Sequence, residues 1–148
     1  MADATPQSAK RPWHLWVVGV VSLLWNSVGA MDFVLTQTRN KAYMSAFTPA
    51  QLEFYYGFPF WVVVAWGIAV WGGVLGSLLL LFRKSCAVHL FLASLLCIIL
   101  TDIHNYALSD GLTVMGGGDT LIFSCVIFVI GALLFVYARA MRKRGVLS

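Results

Sequence analysis

Residues 59–82 read PFWVVVAWGIAVWGGVLGSLLLLF, and this stretch, which carries no charged side chain, decides the fold. A helix rises about 1.5 Å per residue, so a segment of this length crosses a hydrocarbon core of roughly 30 Å. The short charged turn Arg83-Lys84-Ser85 follows, and a second apolar run begins at Cys86. This arrangement predicts two antiparallel membrane helices that are neighbours in the bundle.

The whole chain has the composition of a membrane protein. Of its 148 residues 60% are hydrophobic and 11% are charged, whereas soluble domains carry roughly 25% charged residues. In lipid each segment must satisfy its own backbone hydrogen bonds, which favours helices. We therefore predict an all-α membrane protein, a four-transmembrane-helix bundle with helices at about 13–35, 59–82, 86–108 and 120–141. Residues 13–144 form one domain, between a disordered cytoplasmic tail at 1–12 and a frayed tail at 145–148.

The charged residues are distributed unequally between the two sides of the predicted bundle. Eight of the ten basic residues fall on one side: Lys10, Arg11, Arg83, Lys84, Arg139, Arg142, Lys143 and Arg144. Five of the six acidic residues fall on the other: Asp32, Glu53, Asp102, Asp110 and Asp119. By the positive-inside rule, both termini are cytoplasmic in a bacterial inner membrane. We attribute the basic residues to topology and lipid headgroups, and we expect no nucleic-acid partner.

The first 30 residues are also compatible with a cleaved signal peptide. They combine basic residues, an apolar segment and the small-residue sequence Val28-Gly29-Ala30. Bulky tryptophans such as Trp13 and Trp16 in that segment favour a retained helix instead. Cleavage would leave three helices.

The first outer loop, about 36–58, contains the start signals of a short helix. Thr48 is placed as the N-cap, Pro49 as the first helical residue and Gln51 as the third, which is a capping-box layout. The aromatic residues that follow predict a helix lying at the outer membrane interface.

The second predicted helix carries small residues at spacings that allow close helix packing. They are Ala65, Ala69, Gly72, Gly73, Gly76 and Ser77. Two hypotheses explain this stripe: packing against another helix of the same chain, which we favour slightly, or the seam of a homodimer.

Polar residues concentrate near the outer ends of the first and third helices. Because these helices run in the same direction, their polar faces can meet at one height. The candidate binding pocket consists of Asn26, Asp32, Thr36, Thr101, Asp102, His104 and Asn105. Polar groups in a membrane span are costly and often mark a solute or ion site. The alternative, to which we give slightly more weight, is hydrogen bonding between helices together with helix ends that reach water.

The sequence contains no pattern that predicts catalysis or a cofactor. Asp32, Asp102 and His104 offer three ligand types, but they lack the i, i+4 spacing of a helical metal site. The pair His14 and His89 makes haem ligation geometrically conceivable near the cytoplasmic side, although interfacial histidines more often contact headgroups. We expect no enzyme, no cofactor and no metal.

The stretch WNSVGAMDF at 25–33 and the segments PFW, AWG, VWGG and GSLLL within 59–80 resemble an uncharacterised family of proteobacterial proteins. Members of that family are small four-helix inner-membrane proteins, and some carry the label "sugar transporter". The resemblance covers the first three helices and the first outer loop. It implies the architecture and a bacterial inner membrane, and it supplies no activity and no catalytic residues.

Two functions remain in view. The first is a non-enzymatic accessory or assembly partner, in contact with the lipid bilayer and with a homodimer or larger membrane complex. The alternative is a small-solute or ion transporter or channel component that oligomerises and uses the outward-facing polar pocket. The nearly apolar inner half of the helices disfavours transport, because transporter sites lie near the midplane.

Overall fold

Residues 10–148 are described by a computed structural model, and within this range the chain is helical and has no strand. The helices in chain order are α1 (Trp13–Gln37), α2 (Lys41–Met44), α3 (Pro49–Tyr56), α4 (Phe60–Leu81), α5 (Cys86–Ile103), α6 (Gly111–Val114) and α7 (Gly118–Lys143). A π-helical turn, His104–Leu108, extends α5. Four helices, α1, α4, α5 with its π turn and α7, are long and apolar enough to cross a membrane, as predicted. The predicted disordered tail at 1–12 lies, up to residue 9, outside the described residues.

Local sequence signals explain where the helices begin. Pro12 and Pro59 precede α1 and α4, and their fixed φ angles of −69° and −56° suit a helix entry. At α3 the capping box is formed: the Gln51 amide donates to Thr48 Oγ1 at 3.3 Å, and the Thr48 amide donates to Gln51 Oε1 at 3.0 Å. The location of α3 at a membrane surface stays a prediction.

Helix α4 lies at the centre of the bundle, packed against both α1 and α5, while α7 packs against α5. Its six small residues, Ala65, Ala69, Gly72, Gly73, Gly76 and Ser77, are all buried. A Cβ added at Gly76 would lie 3.0 Å from the Phe91 ring of α5, and one at Gly73 would overlap the Asn26 amide of α1. The stripe is therefore occupied by helices of the same chain, and a homodimer would need a different face.

The end of the bundle where α1 begins and α7 ends, called the inner end below, holds the main apolar core. It contains Leu15, Leu80, Ala87, Val88, Phe91, Leu134, Ala138, Met141, Val146 and Leu147. The His14 ring of α1 is hydrogen-bonded to the Tyr137 hydroxyl of α7 at 2.5 Å. The start of α1, the α4–α5 turn and the end of α7 thus meet at one end, and α2, α3 and α6 lie at the opposite, outer end.

The C-terminal residues are docked, and the predicted frayed tail at 145–148 is wrong. Gly145, with φ of +69°, ends α7 in a left-handed conformation that turns the chain back toward the core. The Val146 amide donates to the Met141 carbonyl at 3.0 Å, which completes the helix-terminating motif. Val146 and Leu147 are then only 5% and 4% exposed, because the reversal places them over the inner core. Glycine at this position followed by two apolar residues was the sequence signal for docking.

Candidate functional site

Asp32 is the acidic side chain with the best-defined partner in the structure. Its Oδ1 accepts a hydrogen bond of 2.5 Å from the Tyr43 hydroxyl. Tyr43 is positioned by α2, whose N-cap Asn40 accepts the Tyr43 amide at 3.1 Å. Burial, and then the hydrogen bond and negative charge of Asp32, raise the pKa of Tyr43 to about 12. The phenol therefore stays protonated at physiological pH and ties the first outer loop to α1.

Two further tyrosines extend this group of polar side chains. The Tyr55 ring of α3 stacks on Trp66 of α4, with centroids 6.1 Å apart. Burial most of all, followed by the charge of Asp32 and the neighbouring phenols of Tyr43 and Tyr106, raises the pKa of Tyr55. Because these groups act on one another electrostatically, we call Asp32, Tyr43, Tyr55 and Tyr106 the outer cluster.

The π turn at the end of α5 determines the surroundings of Tyr106 and His104. The Tyr106 hydroxyl is 2.6 Å from Ser124 Oγ of α7, which links the turn to the fourth span. Ser109 Oγ donates to the carbonyls of His104 at 2.7 Å and Asn105 at 3.2 Å, groups that the wider turn leaves available. A Cβ at Gly111 would overlap the Asn105 carbonyl, so a side chain cannot replace this close approach.

His104 is enclosed by aromatic rings, with only 9% of its surface exposed. Phe58 and Trp61 meet the imidazole edge to face, each with centroids 5.5 Å away. Its Nδ1 lies 3.2 Å from Asn105 Oδ1. Among residues 10–148, Asn105 is the one side chain that is hydrogen-bonded to the His104 ring. This environment fixes the ring and holds the π turn against α4.

Asn26 and Ser94 connect the helices in the middle of the bundle. Asn26 Nδ2 donates to the Ser22 carbonyl at 2.8 Å and to Ser77 Oγ of α4 at 3.5 Å. On the other side of α4, Ser94 Oγ of α5 donates to the Ala69 carbonyl at 2.6 Å. Both polar contacts stabilise helix packing.

The seven predicted pocket residues are distributed over several places. Asp32 pairs with Tyr43, Asn26 with α4, and His104 with Asn105. Thr101 donates to a carbonyl of its own helix, Thr36 is buried, and Asp102 has no hydrogen bond to another described residue. No hydrogen bond within the described part of the chain joins the α1 members to the α5 members. Helix α4 packs against both α1 and α5 and so lies between them.

Sequence reasoning did not select Tyr43, Tyr55, Tyr106 or Ser124. The available signal was a set of tyrosines within or beside loops at the same end as Asp32. Tyrosine is amphipathic and common at this depth, so its position alone does not distinguish a hydrogen-bonded phenol from an interfacial anchor.

Within residues 10–148 no group of three or more His, Cys, Asp or Glu side chains comes together in a way that could hold a metal ion. The outer cluster is instead one carboxylate and three phenols, of which Tyr43 is hydrogen-bonded to the carboxylate. Such a group can hold a proton, attract a cation or fasten a loop to a helix.

No family model, no curated protein and no solved structure matches this chain. The resemblance to small proteobacterial inner-membrane proteins stays a prediction. What the chain itself defines is a four-helix protein whose long helices are compatible with a multi-pass membrane protein.

Proposed function

We propose that the chain is a multi-pass protein of a bacterial inner membrane that acts as a non-enzymatic partner in the assembly of a larger membrane complex. Membrane placement is supported by the four long helices, whose mean hydropathy is between 1.6 and 2.8. It is also supported by large apolar side chains that remain exposed along each of them. In lipid these surfaces need no polar cover.

The proposed orientation, with both ends cytoplasmic, is supported by the charges at the inner end. The basic residues of the α1 start, the α4–α5 turn and the α7 end lie there, and the five acidic residues of the described chain lie toward the outer end. Cys86 is exposed at the inner end. A membrane-impermeant maleimide should therefore label Cys86 in inside-out vesicles and not in intact spheroplasts.

The observation that carries the partner role is the one-sided packing of α7. Its buried residues, Leu134, Ala138 and Met141, all belong to the inner half. Its outer half presents an open apolar face, formed by α7 alone, that consists of Leu121, Ile122, Cys125, Val126, Val129 and Ile130. Association of helices in lipid depends on close van der Waals packing, and an apolar helix face without a partner in its own chain can pack against a helix of another chain. We propose that a transmembrane helix of a partner packs against this face of α7.

Photocrosslinking in native membranes tests this assignment. A photoreactive amino acid at Val126 lies on this face, whereas one at Val136 of the same helix is exposed outside it; the two valines are 42% and 59% exposed. We expect a protein adduct at 126 and none at 136. Equal adducts at both positions, or lipid adducts alone at 126, would contradict the partner role.

The alternative function, a solute or ion transporter component, has one favouring observation, the Asp32 carboxylate within the outer cluster. It is less well supported, since the predicted pocket residues are divided among separate contacts and the inner core is closed by packed side chains. Uptake into reconstituted vesicles by the wild type and by Asp32→Asn decides this alternative. Uptake that depends on Asp32 would favour transport over assembly.

A further inference from the structure

The first outer loop packs over the outer end of the bundle. Residues 38–59, called the outer strap below, contain α2 and α3 and connect α1 to α4. Met44 of the strap is only 5% exposed, and a Cβ added at Gly111 would lie 3.0 Å from the Phe54 ring. The strap is therefore an ordered cover and not an extended loop.

Aromatic rings make most of the contacts between the strap and the long helices. Tyr55 stacks on Trp66 of α4, and Phe58 meets the same indole edge to face, with centroids 6.2 Å apart. Within residues 10–148, one hydrogen bond between side chains joins the strap to a long helix, and it runs from the Tyr43 hydroxyl to Asp32 of α1 at 2.5 Å. The polar attachment of the strap thus depends on a single carboxylate.

The groups around Asp32 are phenols. Tyr43 comes from α2, and Tyr55 of α3 lies within reach of the negative charge of Asp32. Tyr106 of the π turn acts on Tyr55 in turn. Helix α4, which packs against α1, contains no ionisable residue.

The two basic residues of the strap do not neutralise Asp32. The Arg39 guanidinium lies over the Tyr56 ring, 4.3 Å from its centroid, and Lys41 is exposed. Neither forms an ion pair with Asp32 in the described part of the chain. The half-buried carboxylate therefore has one hydrogen bond and no counter-ion.

Closing the strap over an ionised Asp32 removes water from a charge. One hydrogen bond from a phenol replaces part of that hydration, and no cation replaces the rest. A neutral carboxyl group loses far less hydration and still accepts a hydrogen bond from the phenol. The charge of Asp32 therefore opposes closure, and protonation removes that opposition.

We propose that the outer strap is a charge-sensitive lid, which is tightly closed when Asp32 is protonated and opens locally when Asp32 is ionised. By proton linkage, the closed population rises as the pH of the outer side falls, and it decreases as that pH rises. The contacts of the strap with Trp66 carry no charge, so they keep the strap near the bundle at either pH. The membrane placement proposed above decides only which compartment sets this pH.

Limited trypsin digestion of the purified full chain in nanodiscs measures the opening of the strap. The strap has two cleavage sites, after Arg39 and after Lys41, and cleavage after the exposed Lys10 is the internal reference. Cleavage of a folded segment requires local opening, so its relative rate reports the open population. Asp32→Asn keeps an acceptor oxygen and removes the charge. We expect its strap to be cut about tenfold more slowly, the ratio that one unit of difference in proton affinity produces.

Two variants control for other effects of substitution. Glu53→Gln removes an exposed carboxylate from the same strap, and its cleavage rate should equal that of the wild type. Tyr43→Phe keeps the ring and removes the hydroxyl, so its strap should be cut about fivefold faster, the net effect of one hydrogen bond. If Asp32→Asn is cut as fast as the wild type or faster, Asp32 only fastens the strap and the proposal is overturned.

Amide hydrogen exchange tests the same lid without a substitution. The amides of Met44 and Leu52 are hydrogen-bonded at the starts of α2 and α3, at 2.8 and 3.0 Å. After correction for intrinsic exchange, both should be better protected at about pH 5 than at about pH 8 in the wild type. Asp32→Asn should show equal protection at the two pH values. Equal protection in the wild type would overturn the proposal.

His104 is the other ionisable residue to be distinguished, because its ring meets Phe58 of the strap. A pH effect that persists in Asp32→Asn would assign the sensitivity to His104 and overturn the role of Asp32. The purified chain is measured alone, so these results do not depend on the partner role. Absence of a protein adduct at Val126 would overturn that role and leave the lid unaffected.

Discussion

Replacing Gly73 with alanine should destabilise the bundle, whereas the same change at the adjacent Gly72 should not. A Cβ at Gly73 would overlap Oδ1 of Asn26 and lie 2.6 Å from its Cγ. To clear it, the Asn26 side chain must rotate away from the Ser22 carbonyl and from Ser77 Oγ. At Gly72 the added Cβ would lie 3.4 Å from Ser94 Cβ and from the Leu90 carbonyl, which is ordinary contact.

The size of the destabilisation follows from the overlap with Asn26 and from the loss of its hydrogen bond to α4. Overpacking costs about 1–3 kcal/mol, and a polar contact between membrane helices contributes about 0.6 kcal/mol on average. We expect Gly73→Ala to lower the free energy of unfolding by about 2 kcal/mol relative to Gly72→Ala. Both changes gain the same helix propensity, about 1 kcal/mol, so that gain cancels in the comparison.

Reversible unfolding in mixed micelles with increasing dodecyl sulfate, followed by tryptophan fluorescence, measures the difference. The double variant Asn26→Ala/Gly73→Ala is the internal control, since removing the amide makes room for the new Cβ. We expect a favourable coupling energy of about 1–2 kcal/mol in the double-mutant cycle. If Gly73→Ala is as stable as Gly72→Ala, or if Asn26→Ala does not reduce its cost, the described α1–α4 contact is not the one that stabilises the bundle.

Three further predictions concern other contacts. Leu147→Ala should lower the free energy that holds the C-terminal residues against the inner core by about 2 kcal/mol, the lower range for a buried leucine. Amide hydrogen exchange at Ser148 and Ser85 should then be about 30-fold faster. Unchanged exchange would contradict the docking of these residues. The pKa of Tyr43, about 12 in the folded chain against 10 in a free phenol, contributes stability that is present below pH 10 and lost between pH 10 and 12. Phenolate absorbance should accordingly lose a late-titrating component near pH 12 in Tyr43→Phe, while Tyr55, whose pKa is also raised, still titrates late in that variant; ordinary titration of Tyr43 near pH 10 would refute the Asp32 contact. Ser94→Ala removes the bond to the Ala69 carbonyl and should cost about 0.6 kcal/mol in the same unfolding assay, whereas Ser27→Ala, at an exposed position of α1, should cost nothing measurable.

The outer cluster shows why candidate sites are harder to predict than helices. Asp32 was selected because a carboxylate in an apolar segment is unusual in any context. Its partner Tyr43 was not, because the contact depends on the way the first outer loop folds back over α1. The π turn at His104–Leu108 was not predicted for the same reason. Ser109 and Gly111 stabilise it through contacts that exist only after α5 meets the following loop.

By itself the sequence determined the four apolar helices, the capped helix α3 and the unequal charges of the two ends, since each depends on residues that are close along the chain. Only the tertiary structure decided which helix faces meet. Gly72 and Gly73 lie about 100° apart around α4, so one contacts α5 and the other contacts α1. This two-sided stripe places α4 between α1 and α5, so Asn26 of α1 and Ser94 of α5 each donate a hydrogen bond to α4. The docking of Val146 and Leu147 likewise required the inner core, because two apolar residues after a helix acquire a position only when a complementary surface exists.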